Sequence, residues 1–376
     1  MMTRPLRILL IGDASNCHQC LATGLRRLGH EVTVASAGSG WMKTNRDIDI
    51  SRPVKGKLGG LALWAKLHTT LGGKLKGYDV VSLSSPGFVE LRPERTAAVF
   101  DKLVRDNGHV FMTLLETDSY YVEECLKPDG VLRYNEWMVN GRLSPLALAR
   151  PEWLRQWQSA ELRELARHIY DNIAGATAVL YEYWLTGRQH IPESRLGYIG
   201  IPIDTEAIKP VATSRYIDKV RILLGRHRDR KIEKGTDILE HAAREVISRH
   251  PDKSELTIIE NIPYAQYLKR IGESHIMLDQ LYSYTPATNA LLGMAKGLSV
   301  VTGGEPDFYD FIGEHENHPI VNASIDYSEL VENIERTVLE KDLLAVRGER
   351  SRQFVVKHND CVTVARRAID FWTRHL

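Results

Sequence analysis

Apolar positions at the start of the chain fall into two short runs separated by a stretch whose leucines recur at helical spacing. RILLIGD (7–13) reads as a buried strand ending at a glycine, CLATGLRRLGHE as a helix, and EVTVAS (31–36) alternates as a second strand. A buried strand, a helix and another strand make the βαβ unit of a parallel sheet. The same pattern continues, with strands expected at 78–85 (YDVVSLSS), 109–116 (HVFMTLLE), 174–182 (AGATAVLYE) and 195–201 (RLGYIGI), and helical stretches such as ERTAAVFDKLVRD between them. An aromatic, proline-bearing insertion from Ser119 to Pro151 interrupts the series.

The alternation starts again after IPIDTEAIKPVATSRYIDK, which has two prolines and no helical period and reads as a linker. VRILLGR (220–226) echoes the first strand. GTDILEHAAREVISRH then lines up Ile238, Leu239, Ala242, Ala243, Val246 and Ile247 on one helical face, and ELTIIE returns as a strand. The last residues put Val362, Ala365, Ile369 and Trp372 at helical spacing, so an amphipathic helix over 361–376 should pack on the body. The expected organisation is α/β, with two Rossmann-like βαβ domains over 1–204 and 217–360, a linker over 205–216 and the terminal helix.

Composition agrees with this and excludes several alternatives. With 376 residues, 43% apolar and 26% charged, the chain can bury two cores and is neither disordered nor polytopic in a membrane. The 49 Lys+Arg against 48 Asp+Glu leave a formal charge of +1, which offers nucleic acid no general attraction, and no such partner is expected. The charge is nevertheless uneven. Residues 51–78 hold Arg52, Lys55, Lys57, Lys66, Lys74 and Lys76 with no acidic residue, and Leu61, Trp64, Leu67 and Leu71 follow at helical spacings. Such a stretch either meets an anionic membrane surface through one apolar stripe or packs that stripe on its own sheet with the lysines solvated. Cysteines at 17, 20, 125 and 361 are too scattered for a disulfide framework, and the first apolar run, Ile8 to Ile11, is shorter than the roughly 7 to 15 residues of a secretory segment. The expected location is cytoplasmic, peripheral at the inner face of a membrane if the basic stretch docks there.

Four segments carry a resemblance. DASNCHQCLATGLRRLGHEVTVAS is similar to the opening of GT-B glycosyltransferases, and IPIDTEAIKP resembles their interdomain signature. LLGR followed by EKGTDIL resembles their "GR…KG" segment, and LLGMAKGLSVVTGGEP their "LEAMA" segment. Their joint order over most of the chain is similar to the family 4, group 1-like type. The resemblance implies a GT-B fold whose two domains face a central cleft, an acceptor held by the first and a donor by the second. It implies transfer of a sugar, with retention, from a nucleotide-linked donor that serves as co-substrate in place of a cofactor. The acceptor is left open among a glycan, a lipid-linked and a small molecule.

The basic loop after β-forming VRILLG would favour an anion beside the helix that follows. The resemblance carries that role to Arg226 and Lys234, which would neutralise the leaving diphosphate, with Arg228 able to substitute. Tyr284 and Leu292 stand where the family has two glutamates. Leucine cannot accept from a ribose hydroxyl, so either Thr288, Asn289 or another polar neighbour replaces that contact, or the donor is not a conventional nucleotide sugar, or catalysis is lost; for Thr288 and Asn289 the alternative role is to cap a helix. Asp279, Gln280, Gly303, Gly304 and Glu305 belong to the same expected edge. On the acceptor side stand Gly12, Asp13 and Ser15 in one loop, and Glu116 and Asp118 after a strand, with Asp118 the first choice to contact acceptor hydroxyl or donor sugar. No metal is implied, because cationic side chains can serve the diphosphate, and the departing phosphate can take the acceptor's proton. Cys17-His18-Gln19-Cys20 has thioredoxin-like spacing, but a second Rossmann domain has no place in that fold. A GT-B sugar-nucleotide epimerase and a non-catalytic sugar-binding or scaffold protein are the alternative readings.

Overall fold

The computed structural model describes residues 4–38, 42, 44–69, 71–211 and 217–376, and the chain divides into two compact units. The first contains β1 (Arg7–Ile11), α1 (Cys17–Arg27), β2 (Glu31–Ser36), β3 (Ile48–Asp49), α2 (Gly56–His68), β4 (Val80–Leu83), α3 (Pro93–Asp106), β5 (His109–Leu114) and α4 (Ser119–Cys125). The chain then makes a hairpin of β6 (Met138–Val139) and β7 (Arg142–Leu143) and a short α5 (Pro145–Ala149), which belong to the second unit. It returns to the first with α6 (Pro151–Trp157), α7 (Ala160–Asn172), β8 (Gly175–Ala178), α8 (Tyr181–Gly187) and β9 (Leu196–Tyr198). The seven strands are all parallel in the order β3-β2-β1-β4-β5-β8-β9, and Ile8 pairs with Val32 on one side and Val80 on the other. Helices cover a parallel sheet on both faces, so strands such as Val80–Leu83 are buried at every position rather than at alternate ones.

The second unit contains β10 (Val220–Arg226), α9 (Lys231–Lys234), α10 (Thr236–Arg249), β11 (Ser254–Glu260), α11 (Tyr264–Gly272), β12 (Ile276–Leu278), α12 (Thr288–Ala295), β13 (Ser299–Thr302), α13 (Pro306–Ile312), β14 (Val321–Asn322), α14 (Tyr327–Leu339) and α15 (Leu344–His358). Its five parallel strands run β11-β10-β12-β13-β14. The face expected for α10 buries Leu239, Ala242, Ala243 and Val246 against this sheet. The chain therefore has two Rossmann-like α/β units, as the periodicity implied.

Four local expectations change. The insertion groups with the second unit over Pro128–Arg150, not with the first domain. It turns at Asn140 and Gly141, both at positive φ, the left-handed pair that a two-residue hairpin requires. The stretch expected to link the domains is fastened to the second unit as far as it is described: Ile203 N donates to Asn359 O, Val211 N to Lys296 O, and the Arg352 guanidinium to the carbonyls of Thr205, Ile208 and Ala295. Residues 212–216 of the expected linker lie outside the described residues.

The last helix, α16 (Cys361–Thr373), belongs to the first unit and buries Cys361, Val364, Ala365, Ala368, Phe371 and Trp372. Val362 and Ile369, expected on that face, are only half buried. The stripe expected over 61–71 is also split, since Leu67 and Leu71 lie in the first core whereas Leu61 is 51% exposed. Among the described residues no helix is long and apolar enough to cross a membrane.

Candidate functional site

In an open parallel sheet the strand order reverses at one point, and the two strands flanking it leave a crevice beyond their carboxyl ends. In the second unit that point falls between β10 and β12. Arg226 ends β10, and Asp279 follows β12 directly and is fully buried. Lys234, at the end of α9, brings Nζ to 3.8 Å from Asp279 Oδ1. Asn289 Nδ2 donates to the same oxygen at 2.9 Å, and Asn289 Oδ1 accepts from the Tyr267 hydroxyl at 2.7 Å. Tyr267 in turn fills the space beside Gly225, where any Cβ would overlap its ring. One polar network thus runs from Tyr267 on α11 through Asn289 to Asp279 and on to Thr302 at the end of β13, whose hydroxyl is 3.5 Å from Asp279 Oδ2.

The basic loop is less open to an anion than its composition suggests. Arg226 is held between Glu240 Oε2 at 2.7 Å and Glu260 Oε1 at 2.8 Å, and Arg228 bonds the other oxygen of Glu260 at 3.0 Å. Burial works against the Arg226 charge, but these two carboxylates outweigh it and hold its pKa above the ordinary value. Glu260 ends a strand that the sequence marks, so its presence at this edge is legible, but neither its pairing nor Glu240 and Tyr267 carry any signal in the pattern.

Asn289 does not cap α12: the capping position belongs to Ala287, which has no side-chain bond to offer, and Thr288 is the first helical residue. Leu292 is buried within the same helix. Tyr284 is also buried, and its hydroxyl accepts from Tyr134 N at 3.1 Å while the two tyrosine rings stack with centroids 4.7 Å apart. Burial pushes the Tyr284 hydroxyl up to about 12. Glu305 is saturated by the same neighbourhood, accepting from the Tyr134 hydroxyl at 2.8 Å, Asn322 Nδ2 at 3.0 Å and Arg133 Nη2 at 2.5 Å. A Cβ on Gly303 would strike the Ser283 carbonyl and one on Gly304 the Ile320 side chain, so both glycines serve close packing at this edge. The sequence does not single out Arg133 and Tyr134, because their segment reaches the second unit only through the fold.

The first unit reverses between β1 and β4. Gly12 sits there at φ +79 with no room for a side chain against Ser84, its N–H donates to Ala35 O at 2.8 Å, and its carbonyl accepts from His18 Nδ1 at 2.6 Å. His18 therefore carries its proton on Nδ1, and Nε2 is left buried without a partner among the described residues. Burial lowers its pKa to about 4. Asp13 Oδ1 accepts from His18 N at 3.0 Å, and Oδ2 is buried without a hydrogen bond of ordinary geometry among the described residues. Burial, reinforced by Glu116, raises Asp13 to about 7 against the hydrogen bonds from His18 N, Gln19 N and Thr44. Glu116 is exposed just past β5, with Ser85 Oγ 3.5 Å from its Oε2. Ser15, also exposed, has φ 52 in the turn into α1.

Asp118 is buried and caps α4, accepting from Tyr121 N at 2.7 Å and from the Tyr170 hydroxyl at 2.5 Å. Burial raises its pKa despite both bonds. It lines a small pocket with Glu116, Tyr120, Tyr170 and His190, the last stacked on Tyr120 at 4.1 Å and bonded to the buried Glu124 at 2.8 Å. Asp13, Glu116 and Asp118 thus share the carboxyl edge of one sheet, whereas Arg226, Lys234, Asp279 and Asn289 share the edge of the other.

No family model matches the chain, and no curated protein matches it in sequence. Solved structures do. Sucrose-phosphate synthase from Thermosynechococcus elongatus superposes with a TM-score of 0.64 at 13% identity, covering 99% of each chain. HepE from Anabaena, in complex with UDP and glucose, gives 0.61 at 13% identity over 98% of this chain and 100% of that one. A putative UDP-N-acetylglucosamine 2-epimerase from Listeria monocytogenes gives 0.51 at 9% identity over 98% and 95%. The chain has the GT-B fold of these proteins, a fold that carries more than one chemistry.

Proposed function

We propose that the chain is a glycosyltransferase that takes a sugar from a nucleotide-linked donor bound at the carboxyl edge of the second sheet and passes it, with retention, to an acceptor bound by the first unit. The observation that carries this reading is the Lys234–Asp279–Asn289–Tyr267 network at the strand-order reversal, beside the cationic end of β10. Lys234 and the Arg226–Arg228 pair supply positive charge for a leaving diphosphate. Asn289, already oriented by Asp279 and Tyr267, supplies the polar contact that Leu292 cannot. In the transfer the bond from the sugar's anomeric carbon to the phosphate oxygen breaks as a bond to the acceptor oxygen forms. The diphosphate leaves with the electron pair and accepts the acceptor's proton.

UDP is the nucleotide to test first, because the similar HepE binds it. Calorimetric titration should show UDP binding that weakens by about 10- to 100-fold in Lys234→Ala and Arg226→Ala, the loss of one charge-assisted contact. Because Glu260 occupies both arginines, Glu260→Gln should instead tighten binding several-fold. Unchanged affinity in all three folded variants removes the donor from this edge. The saturation of Arg226 by two carboxylates favours one second reading, a GT-B protein that binds without turnover. Slow release of nucleoside diphosphate from a nucleotide sugar would rule that out.

A further inference from the structure

Helix α2 is apolar on two sides. Gly59, Gly60, Leu63 and Leu67 face inward, and Leu63, Leu67, Leu71 and Leu75 join the first core. Leu58, Leu61, Ala62 and Ala65, at spacings of three, one and three, form the opposite side and are exposed, as is Val54 just before the helix. Val54 is 57% exposed, Leu58 76% and Leu61 51%. A helix that is apolar all round is ordinarily enclosed on every side; this one is enclosed on one.

The side-chain charge along this stretch of the chain has one sign. Residues 51–78 contain six basic and no acidic residues in a chain whose net charge is +1. Arg52 has Glu90 at 3.7 Å, and Lys66 reaches the Asp49 carbonyl at 2.7 Å. Lys55, Lys57, Lys74 and Lys76 are exposed and make no ion pair among the described residues. Solvent-exposed leucines beside unpaired lysines match the depth profile of a bilayer surface, with apolar side chains entering the acyl boundary and ammonium groups at the phosphates. A second copy of this chain would bring the same positive charge against itself.

We propose that the outer face of α2, with Val54, Leu58 and Leu61 exposed on it and Lys55 and Lys57 beside them in sequence, docks on an anionic lipid bilayer, aided by Lys74 and Lys76 in the segment that follows the helix. The face differs from the stripe that helical spacing alone suggested, since it keeps Leu61 but joins it to Val54 and Leu58 and leaves Leu67 and Leu71 in the core. Under the transferase reading, on which this last step rests, a lipid-linked acceptor becomes the substrate class to test.

Sedimentation of the full chain with vesicles of phosphatidylcholine alone, or mixed with phosphatidylserine, tests the proposal without any need for turnover. A failure here therefore leaves the transferase reading standing. Binding is expected only to the mixed vesicles and should weaken as salt rises. A Lys55→Ser, Lys57→Ser, Lys74→Ser, Lys76→Ser variant should bind about 600-fold less, at roughly fivefold per lysine. Leu58→Ser with Leu61→Ser should also lose binding while the melting temperature is kept, because both side chains are exposed. Absence of binding at low salt overturns the proposal, as does binding indifferent to both variants. So does a dimer in solution that Leu58→Ser dissociates without any vesicle binding.

Discussion

Asp13, with its Oδ2 buried, and His18, buried in the first turn of α1, are joined by a hydrogen bond and titrate in opposite senses. Asp13 has an ordinary pKa of 3.8 and is raised to about 7 by burial and then by Glu116, so the folded chain keeps a proton that the unfolded chain gives up. Its cost therefore appears as pH rises through that window and is complete above about 7. His18 drops from 6.5 to about 4 through burial, so its cost appears as pH falls through that range. The two slopes oppose each other wherever the windows overlap. Asp13→Asn should leave stability near pH 4 unchanged and raise it at pH 8 by on the order of 2 to 4 kcal/mol. Urea unfolding across pH checks this, and equal stabilisation at both pH values would contradict a protonated Asp13 in the folded state.

At the scale of elements, Asp118 joins α4 to α7 by accepting from Tyr121 N and the Tyr170 hydroxyl. Asp118→Ala should cost about 2 to 4 kcal/mol, the sum of a lost helix cap and a buried hydroxyl left unpaired. Asp118→Asn, which keeps an acceptor for the cap, should cost less. Thermal unfolding ranks the two, and under the proposed function sugar transfer by a folded Asp118→Asn variant reports whether the residue has work beyond the cap. Helix α1 lies against α16 at Gly24, where a Cβ would collide with the Cys361 carbonyl. Backbone cannot yield as a flexible side chain can, so Gly24→Ala should destabilise the first unit by about 1 to 3 kcal/mol in the same assay.

For the molecule as a whole, the chain leaves the first unit, builds the second, and comes back with α16. Phe371 fills the space beside Gly175 and Gly197, and Trp372 is fully buried, so the last helix completes the covering of β8 and β9. Ending the chain at Asp360 should accelerate hydrogen exchange in α1, β8 and β9 by orders of magnitude and leave α10 and α14 protected. Uniform acceleration in both units would show instead that they unfold as one. The return of the chain also explains why the expected C-terminal stripe was rotated. Helical spacing selects the apolar side, but the close approach at Gly24 turns Cys361, Ala365 and Ala368 inward and leaves Val362 and Ile369 at the margin.

The sequence by itself determined that there are two parallel α/β units and where most strands begin. It also determined that Arg226, Asp279 and Glu116 stand at carboxyl ends of strands. Those properties follow from the period of burial and from glycines at strand ends, which are local. Tertiary structure alone decided that Arg226 is clamped by Glu240 and Glu260, that Asn289 bonds Asp279 instead of capping its helix, and that residues 128–150 join the second unit at Tyr284 and Glu305. Each of these depends on residues brought together from distant parts of the chain, to which no periodicity refers. The Asn140–Gly141 pair announces a hairpin but not its destination. For α2, apolar on both sides, the pattern leaves the rotation of the helix undetermined, and packing against the sheet chose which leucines face out.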